Sequence, residues 1–383
     1  MKNHKEQFPI IRFHTYRDEW KQHKLGEVFE QTVEYVDPYE QNLELWSVTV
    51  ESGLTPKEER YNREFLVKKS DKFKKLYPEE IVYNPMNITI GAVGFNNAGK
   101  EVAVSGYYVT MKMKSKFSNK FFSAWLSCPK AIRLYKIYST GSLIERQRVQ
   151  FPTLSDIKDY FPIFDEQSAI GSLFRTLDDL LSSYKDNLTN YQVLKATMLS
   201  KMFPKAGQTV PEIRLNGFEE DWERKSLSEV CTINSGRDYK HLKNGDIPVY
   251  GTGGYMLSVN EKLSDEDAIG IGRKGTIDKP YLLSAPFWTV DTLFYVICKV
   301  GYDLNYLFLI FQKIRWKKFD ESTGVPSLSK KTIEKVVSKF PSYEEQCAIG
   351  LYFSDLDNLI NYYQEKISQL ETLKKKLLQD MFI

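Results

Sequence analysis

The sequence predicts an α+β protein in which two α/β domains are separated by two long antiparallel coiled-coil helices, the whole forming an internal pseudo-two-fold repeat. Three observations carry this reading. Residues 161–203 and 340–382 align without a gap at an offset of 179, sharing Phe161/Phe340, Pro162/Pro341, a Glu-Gln pair, Ala-Ile-Gly, Phe174/Phe353, Leu177-Asp178/Leu356-Asp357 and a closing Met-Phe. A fainter twin, 11–28 against 213–230, matches at an offset of 202 in Ile-Arg, Trp20/Trp222, Leu25/Leu227 and Glu27-Val28/Glu229-Val230. Between these markers, short β-like runs and one helix follow in the same order in both halves. A period this long indicates a duplicated domain with its connector, not a solenoid. The expected boundaries are 1–160 and 204–339 for the domains, and 161–203 and 340–383 for the helical spacers.

In the first domain the β-like runs are 43–50, 81–95 and 101–113, and a helix is expected from Phe117 through Tyr138. The second shows 247–257, 267–277 and 286–300, then a helix over 303–319. Each domain then carries a Ser-Thr-Gly stretch, at Ser139 and at Ser322, before its spacer.

The spacers read as helices because apolar residues recur at heptad positions. Position a takes Ile170, Leu177, Tyr184, Tyr191 and Met198 in one, and Ile349, Leu356, Tyr363, Leu370 and Leu377 in the other. Pairing about a pseudo-two-fold axis makes the helices antiparallel, with Ile170 beside Leu377; parallel pairing is the alternative. At about 1.5 Å per residue each runs roughly 55 Å. Asp165 is the expected cap of the first, and Ser342 with Glu345 forms a capping box for the second. Lys374, Lys375 and Lys376 complement the dipole of the second helix. Gly171 and Gly350 occupy equivalent places, each costing about 1 kcal/mol against Ala, which points to close backbone approach.

Hydrophobic content of 42% with 14% aromatic residues supports packed cores and argues against disorder. A net charge of +3 is mild, so any nucleic-acid surface must come from local clustering of Lys and Arg. Cys128, Cys231, Cys298 and Cys347 show no CxxC spacing, which fits a reducing compartment without disulfide or zinc. The N-terminus has no apolar signal core and no run nears the ~18 apolar residues of a membrane span, so a soluble cytoplasmic protein is expected.

Motifs for chemistry are incomplete. Gly94 to Lys100 follows the phosphate-loop pattern, but Glu101 replaces the Ser or Thr that binds magnesium, and a strand-like run follows in place of a helix. Gly270 to Gly275 matches GxGxxG without the helix a dinucleotide needs; a turn carrying Arg273 and Lys274 explains it better. Tyr83-Asn84-Pro85-Met86-Asn87 is similar to the Asn-Pro-Pro-Tyr motif of adenine methyltransferases but lacks its second Pro and its aromatic. The four histidines have no metal or dyad spacing. Basic groups interleaved with aromatics are more frequent: Lys68-Lys69, Lys72 to Lys75, Lys112 to Lys120, Arg237 to Lys240, and Arg315 to Lys318. The candidate DNA contacts are Lys100, Arg146, Arg148, Arg237, Tyr239, Tyr250, Arg273, Lys274 and Lys330.

With its two EQ-x-AIG-x-x-F-x-x-LD helices, its two diverged domains and the stretches Val249 to Gly254 and Ser322 to Gly324, the chain resembles the specificity subunit of type I restriction-modification systems over essentially its whole length. The resemblance implies a subunit without catalytic activity or cofactor of its own. It would bind double-stranded DNA and direct two modification subunits, which carry S-adenosylmethionine, to adenines in a bipartite asymmetric sequence. Restriction subunits would add cleavage driven by ATP and magnesium, and no membrane is involved. A helical rod of this length can hold two readers on half-sites about one turn, ~34 Å, apart. The competing reading is a stand-alone methyltransferase or nucleotide-dependent enzyme that uses the near-motifs; a helical scaffold binding only proteins is a third.

Overall fold

A computed structural model describes residues 9–57, 72–141, 147–205 and 207–382. The chain divides into two compact units, Met1–Lys185 with Lys366–Ile383, and Asp186–Glu365. The long helices, Phe164–Lys201 and Tyr343–Asp380, each contribute a segment to both units.

The first unit is built on a four-stranded antiparallel sheet in the order Phe29–Thr32, Val109–Met113, Ile81–Tyr83, Val93–Phe95. Ile81, Val82 and Tyr83 are fully buried, as β-branched and aromatic residues are when both faces of a strand are covered. The single helix expected from Phe117 to Tyr138 is in fact two, Asn119–Trp125 and Pro129–Tyr138. Pro129 cannot continue a helix but suits a first turn, and the Cys128 thiol caps the new start by accepting from the Ala131 amide at 3.3 Å.

The second unit repeats this plan with the order Cys231–Ser235, Leu293–Cys298, Ala268–Gly272, Tyr281–Leu283. Its register is equivalent strand for strand: Tyr83 faces Val109 in one unit as Ile271 faces Phe294 in the other. Each unit also carries a three-stranded sheet, of Asn244–Gly251, Gly254–Val259 and Trp288–Thr289 in the second and of Tyr35–Val36, Phe73–Leu76 and Val102–Ser105 in the first. The second unit's helix spans Leu304–Lys313, shorter than expected, and is capped by Asp303, which accepts from the Tyr306 amide at 2.7 Å; Trp316–Phe319 forms a separate 3-10 turn.

The repeated sequence at the start of each long helix is a docking device. The buried positions are the same seven in both: Glu166, Gln167, Ile170, Gly171, Phe174, Leu177 and Leu181, against Glu345, Gln346, Ile349, Gly350, Phe353, Leu356 and Ile360. Arg12 grips Glu166 with two bonds of 2.7 Å and donates to the Asp18 carbonyl. Arg214 does the same to Glu345, at 2.8 and 2.7 Å, and to the Glu220 carbonyl. Gln167 donates to the Pro162 carbonyl and accepts from the Ser118 amide; Gln346 bridges the Pro341 carbonyl and the Asp303 amide. The glycines make the close approach expected of them. A Cβ on Gly171 would stand 2.4 Å from the Phe121 nitrogen, and one on Gly350 would stand 2.4 Å from Asp303 Oδ1.

These contacts revise the capping expectations. Asp165 lies inside the first helical turn, one residue past the start at Phe164. Ser342 accepts from the Glu345 amide at 3.4 Å, but the Glu345 carboxylate turns away to Arg214, because a nearly sealed carboxylate gains more from a bidentate cation than from a helix amide. The last turn of the second helix carries no basic residue; Lys374 lies before it and pairs with Asp178.

Within each unit the two helix segments run antiparallel. In the first, Phe174 stacks on Phe382 at 5.7 Å, Asp178 pairs with Lys374, and Lys185 meets Glu371 at 2.7 Å. In the second, Tyr191 stacks on Tyr363 at 5.6 Å and Lys195 pairs with Asp357. The register differs from the expected one by about a heptad. Ile170 and Leu377 both line the first unit's core, but Asp178 opposite Lys374 sets Leu177, not Ile170, level with Leu377. Leu370 packs on the same core, while Met198 joins the second unit's core beside Ile349 and Leu356; Tyr184 is half-buried. Among the described residues no helix is long and apolar enough to cross a membrane.

Candidate nucleic-acid interface

In the second unit three neighbouring strands finish or begin at one end of the central sheet, where Ser235, Phe294 and Ile271 lie side by side. Beyond them the chain reads Gly236-Arg237 on one strand and Gly272-Arg273-Lys274 on the other. Both glycines are compelled by backbone: a Cβ would stand 2.0 Å from the Val290 carbonyl at Gly236 and 2.1 Å from the Thr276 carbonyl at Gly272. Only residues without a Cβ let the backbones close this tightly, so the cations immediately following are held at fixed points. Arg237 is anchored through its amide to the Thr289 carbonyl, and its own carbonyl accepts from the Trp288 indole at 2.9 Å.

Arg273 and Lys274 form one wall of a groove of about 780 Å³. The opposite wall is the loop 321–330, ending in Lys330, with Ser235 and Phe294 between. The walls are tied by backbone bonds from Leu328 to the Arg273 carbonyl and from Gly275 to the Pro326 carbonyl. Asp320 closes the loop: its Oδ1 accepts from the Ser322 amide and hydroxyl and the Ser327 amide, and these bonds hold its carboxyl below the usual range. Glu321 is similarly held low by the hydroxyls of Thr332 and Ser329. The Arg273 guanidinium lies 5.9 Å over the Phe294 ring.

The same sheet end in the first unit carries different chemistry. Pro85 and Met86 stand where the second unit has Arg273 and Lys274, and the Pro85 carbonyl accepts from Val149 as the Arg273 carbonyl does from Leu328. Arg148 is exposed there and pairs in a bridge with Thr140. Asn84 accepts from the Met86 amide at 3.0 Å, so Tyr83 to Asn87 is a side-chain-closed turn.

A family model for the type I restriction modification DNA specificity domain matches residues 219–372. Residues 219–372 therefore form a type I restriction-modification specificity domain. A specificity subunit of the type I restriction enzyme MjaVIII of Methanocaldococcus jannaschii is 23% identical over 353 residues, covering 81% of each chain. The crystal structure of the type I restriction-modification S subunit from M. genitalium matches 98% of this chain and 99% of that one, with a TM-score of 0.69 at 17% identity. The fold of a specificity subunit thus extends over both units.

Within this specificity-subunit fold the sequence-derived candidates separate. Arg237, Arg273, Lys274 and Lys330 are exposed at or beside the second unit's sheet end, which sequence spacing alone does not bring together. Tyr239 and Tyr250 are half-buried and pack on the small three-stranded sheet, Tyr250 against Tyr255 and Tyr281. Lys100 lies elsewhere and pairs with Glu44 at 2.9 Å; the strand Val102–Ser105 follows it, so the phosphate-loop likeness has no helix behind it. Arg146, like Lys68 and Lys69, falls outside the described residues. Sequence reasoning missed Asp320, Glu321 and Phe294, whose roles depend on loop closure and strand register. It also missed the Arg12–Glu166 and Arg214–Glu345 pairs, for which a signal existed: Ile-Arg and Glu-Gln each recur in both halves.

Cys231 and Cys298, distant in sequence, face one another across adjacent strands. Burial pushes both thiols up to about 12, which keeps them protonated and poorly nucleophilic.

Proposed function

We propose that this chain is the DNA-reading subunit of a type I restriction-modification complex, each unit reading one half of a bipartite, asymmetric target and the long helices acting as spacer. The observation that carries this reading is a contrast: one sheet topology and one helix-docking device occur twice, while the exposed sheet ends differ. Like scaffolds with unlike DNA-facing surfaces fit two unlike half-sites, whose contacts include phosphate positioning as well as base reading.

Modification subunits, two per chain, bring S-adenosylmethionine and methylate adenine; restriction subunits bring ATP and magnesium; this chain performs no chemistry of its own and works in the cytoplasm. Support for two equivalent docking places comes from Leu180 and Leu359, which are 36% and 38% exposed at the same position of the two helices. Apolar residues left open at matched sites on a coiled coil suit a repeated partner.

Exchange of residues 204–339 for the corresponding segment of another specificity subunit tests the reading. Mapping of methylated adenines across the genome should show one half of the target changed and the other kept; alteration of both halves refutes modular reading. Methylation or ATP hydrolysis by the purified chain alone would instead establish the stand-alone enzyme.

A further inference from the structure

We infer that the second unit's sheet-end groove is a clamp for the DNA phosphate backbone, setting affinity without reading sequence. This rests on the proposal that the unit binds DNA, and it assigns base reading to other residues of the unit.

The groove's charged donors are the Arg273 guanidinium and the Lys274 and Lys330 ammoniums, with the exposed hydroxyls of Ser235 and Thr323, which can donate or accept, beside them. Among the described residues Arg273 and Lys274 have no carboxylate within ion-pair distance, and Lys330 reaches only Glu334, at 3.7 Å. The one carboxylate on the wall, Glu321, spends its Oε1 on two hydroxyls of the chain itself. A phosphodiester presents acceptors only, and this set matches it. Among major-groove base edges only guanine's, O6 with N7, pairs two acceptors without a donor, and a single bidentate fork reads it; three separate cations spread over two walls fit the successive oxygens of a phosphate run instead.

Rigidity and position add to this. Arg273 is held over Phe294, and its backbone is fixed by two bonds: its amide donates to the Thr292 carbonyl, and its carbonyl accepts from the Leu328 amide of the facing loop. Asp320 pre-forms the facing loop, so the walls need little reorganisation on binding. The cations are not a demand of the fold, since the equivalent turn of the first unit closes with Pro85 and Met86.

The test uses the full chain assembled with its modification subunits. The probes are a duplex carrying the motif returned by methylome mapping and a shuffled duplex of equal composition. The double variant Arg273→Ala/Lys274→Ala should weaken binding to both duplexes by the same factor, roughly tenfold or more at physiological salt. It should also flatten the plot of log affinity against log salt by about 0.9 per lost phosphate contact. Arg273→Lys should bind close to the unaltered chain, because a phosphate accepts a point charge where a guanine edge needs the bidentate fork. The methylated motif should keep its sequence. A loss confined to the motif duplex, an unchanged salt slope, or an altered motif with Arg273→Lys would each overturn the clamp while leaving the DNA-reading proposal standing. Equal binding of both duplexes by the unaltered complex would count against sequence reading instead, and the salt slopes would still decide the clamp. Unaltered thermal unfolding of each variant shows that folding is not the cause.

Discussion

The two units share the helix dock almost atom for atom and share little at the sheet end. Arg12 with Glu166 and Arg214 with Glu345 use the same nitrogens, the same oxygens and a carbonyl six residues further on. At the sheet end, Pro85 and Met86 replace Arg273 and Lys274 in the same hydrogen-bonded register. A dock that buries a carboxylate tolerates no exchange of partner, since either residue alone leaves an unpaired charge out of water. An exposed turn carries no such penalty, so its side chains can vary with the ligand while its backbone pairing persists.

The largest expected effect tests the equivalence of the docks. Glu345→Ala and Glu166→Ala each leave a guanidinium facing a 1% exposed site. Each should cost about 2–4 kcal/mol, somewhat below the cost of breaking a fully buried pair because the arginines reach the surface. Denaturant unfolding measures this. Glu166 also accepts from the Trp20 indole at 3.4 Å, whereas the Trp222 indole has no partner among the described residues, so Glu166→Ala should be the more damaging of the two.

The glycines sharpen the comparison at the next level. Gly171→Ala would press on backbone atoms of Lys120 and Phe121, while Gly350→Ala first meets the Asp303 side chain. Overpacking of about 1–3 kcal/mol should therefore appear for Gly171→Ala. The gain of about 1 kcal/mol in helix propensity offsets it only in part there. Gly350→Ala should also destabilise, by about 0.5–2 kcal/mol, because it displaces the Asp303 carboxylate from the Tyr306 amide; a larger cost for Gly350→Ala than for Gly171→Ala in thermal unfolding would reverse the order.

Smaller effects follow. Buried Cys231 and half-buried Cys298, with thiols raised to about 12, should resist alkylation at neutral pH until the unit unfolds; rapid labelling at either position, located by peptide mapping so that Cys347 is counted apart, would contradict this. Lys100→Ala, which removes only a surface pair with Glu44, should leave the unfolding midpoint unchanged within error.

Much of the architecture was legible because it depends on local rules. The heptad spacing of Ile170 to Met198 and of Ile349 to Leu377 marks helices whatever they pack against, and the repeated Gly171 and Gly350 signalled a close approach that the structure contains. Other expectations failed where a local preference met a competing contact. Pro129 split a continuous apolar run into two helices, Glu345 chose Arg214 over its own helix amide, and the seam settled one heptad away from the expected register. Of the candidate contacts, Arg273, Lys274 and Lys330 share a groove, whereas Tyr250 packs inward and Lys100 is paired. Exposed charge looks alike in sequence whether it is free or neutralised by a residue 56 positions away, as Lys100 is by Glu44.

By itself, then, the sequence determined the duplication, the helices and the equivalence of the two units, since periodicity and repetition are properties of the chain alone. Only the tertiary structure decided which side chains meet. Strand register placed Arg237 and Arg273 at one sheet end, after the two strands that flank Leu293–Cys298, loop closure by Asp320 brought Lys330 across from Lys274, and the dock spent Arg12 and Arg214 on buried carboxylates. Those outcomes depend on long-range pairing, where the burial of one group sets the partner of another, and that coupling cannot be read from neighbours in sequence.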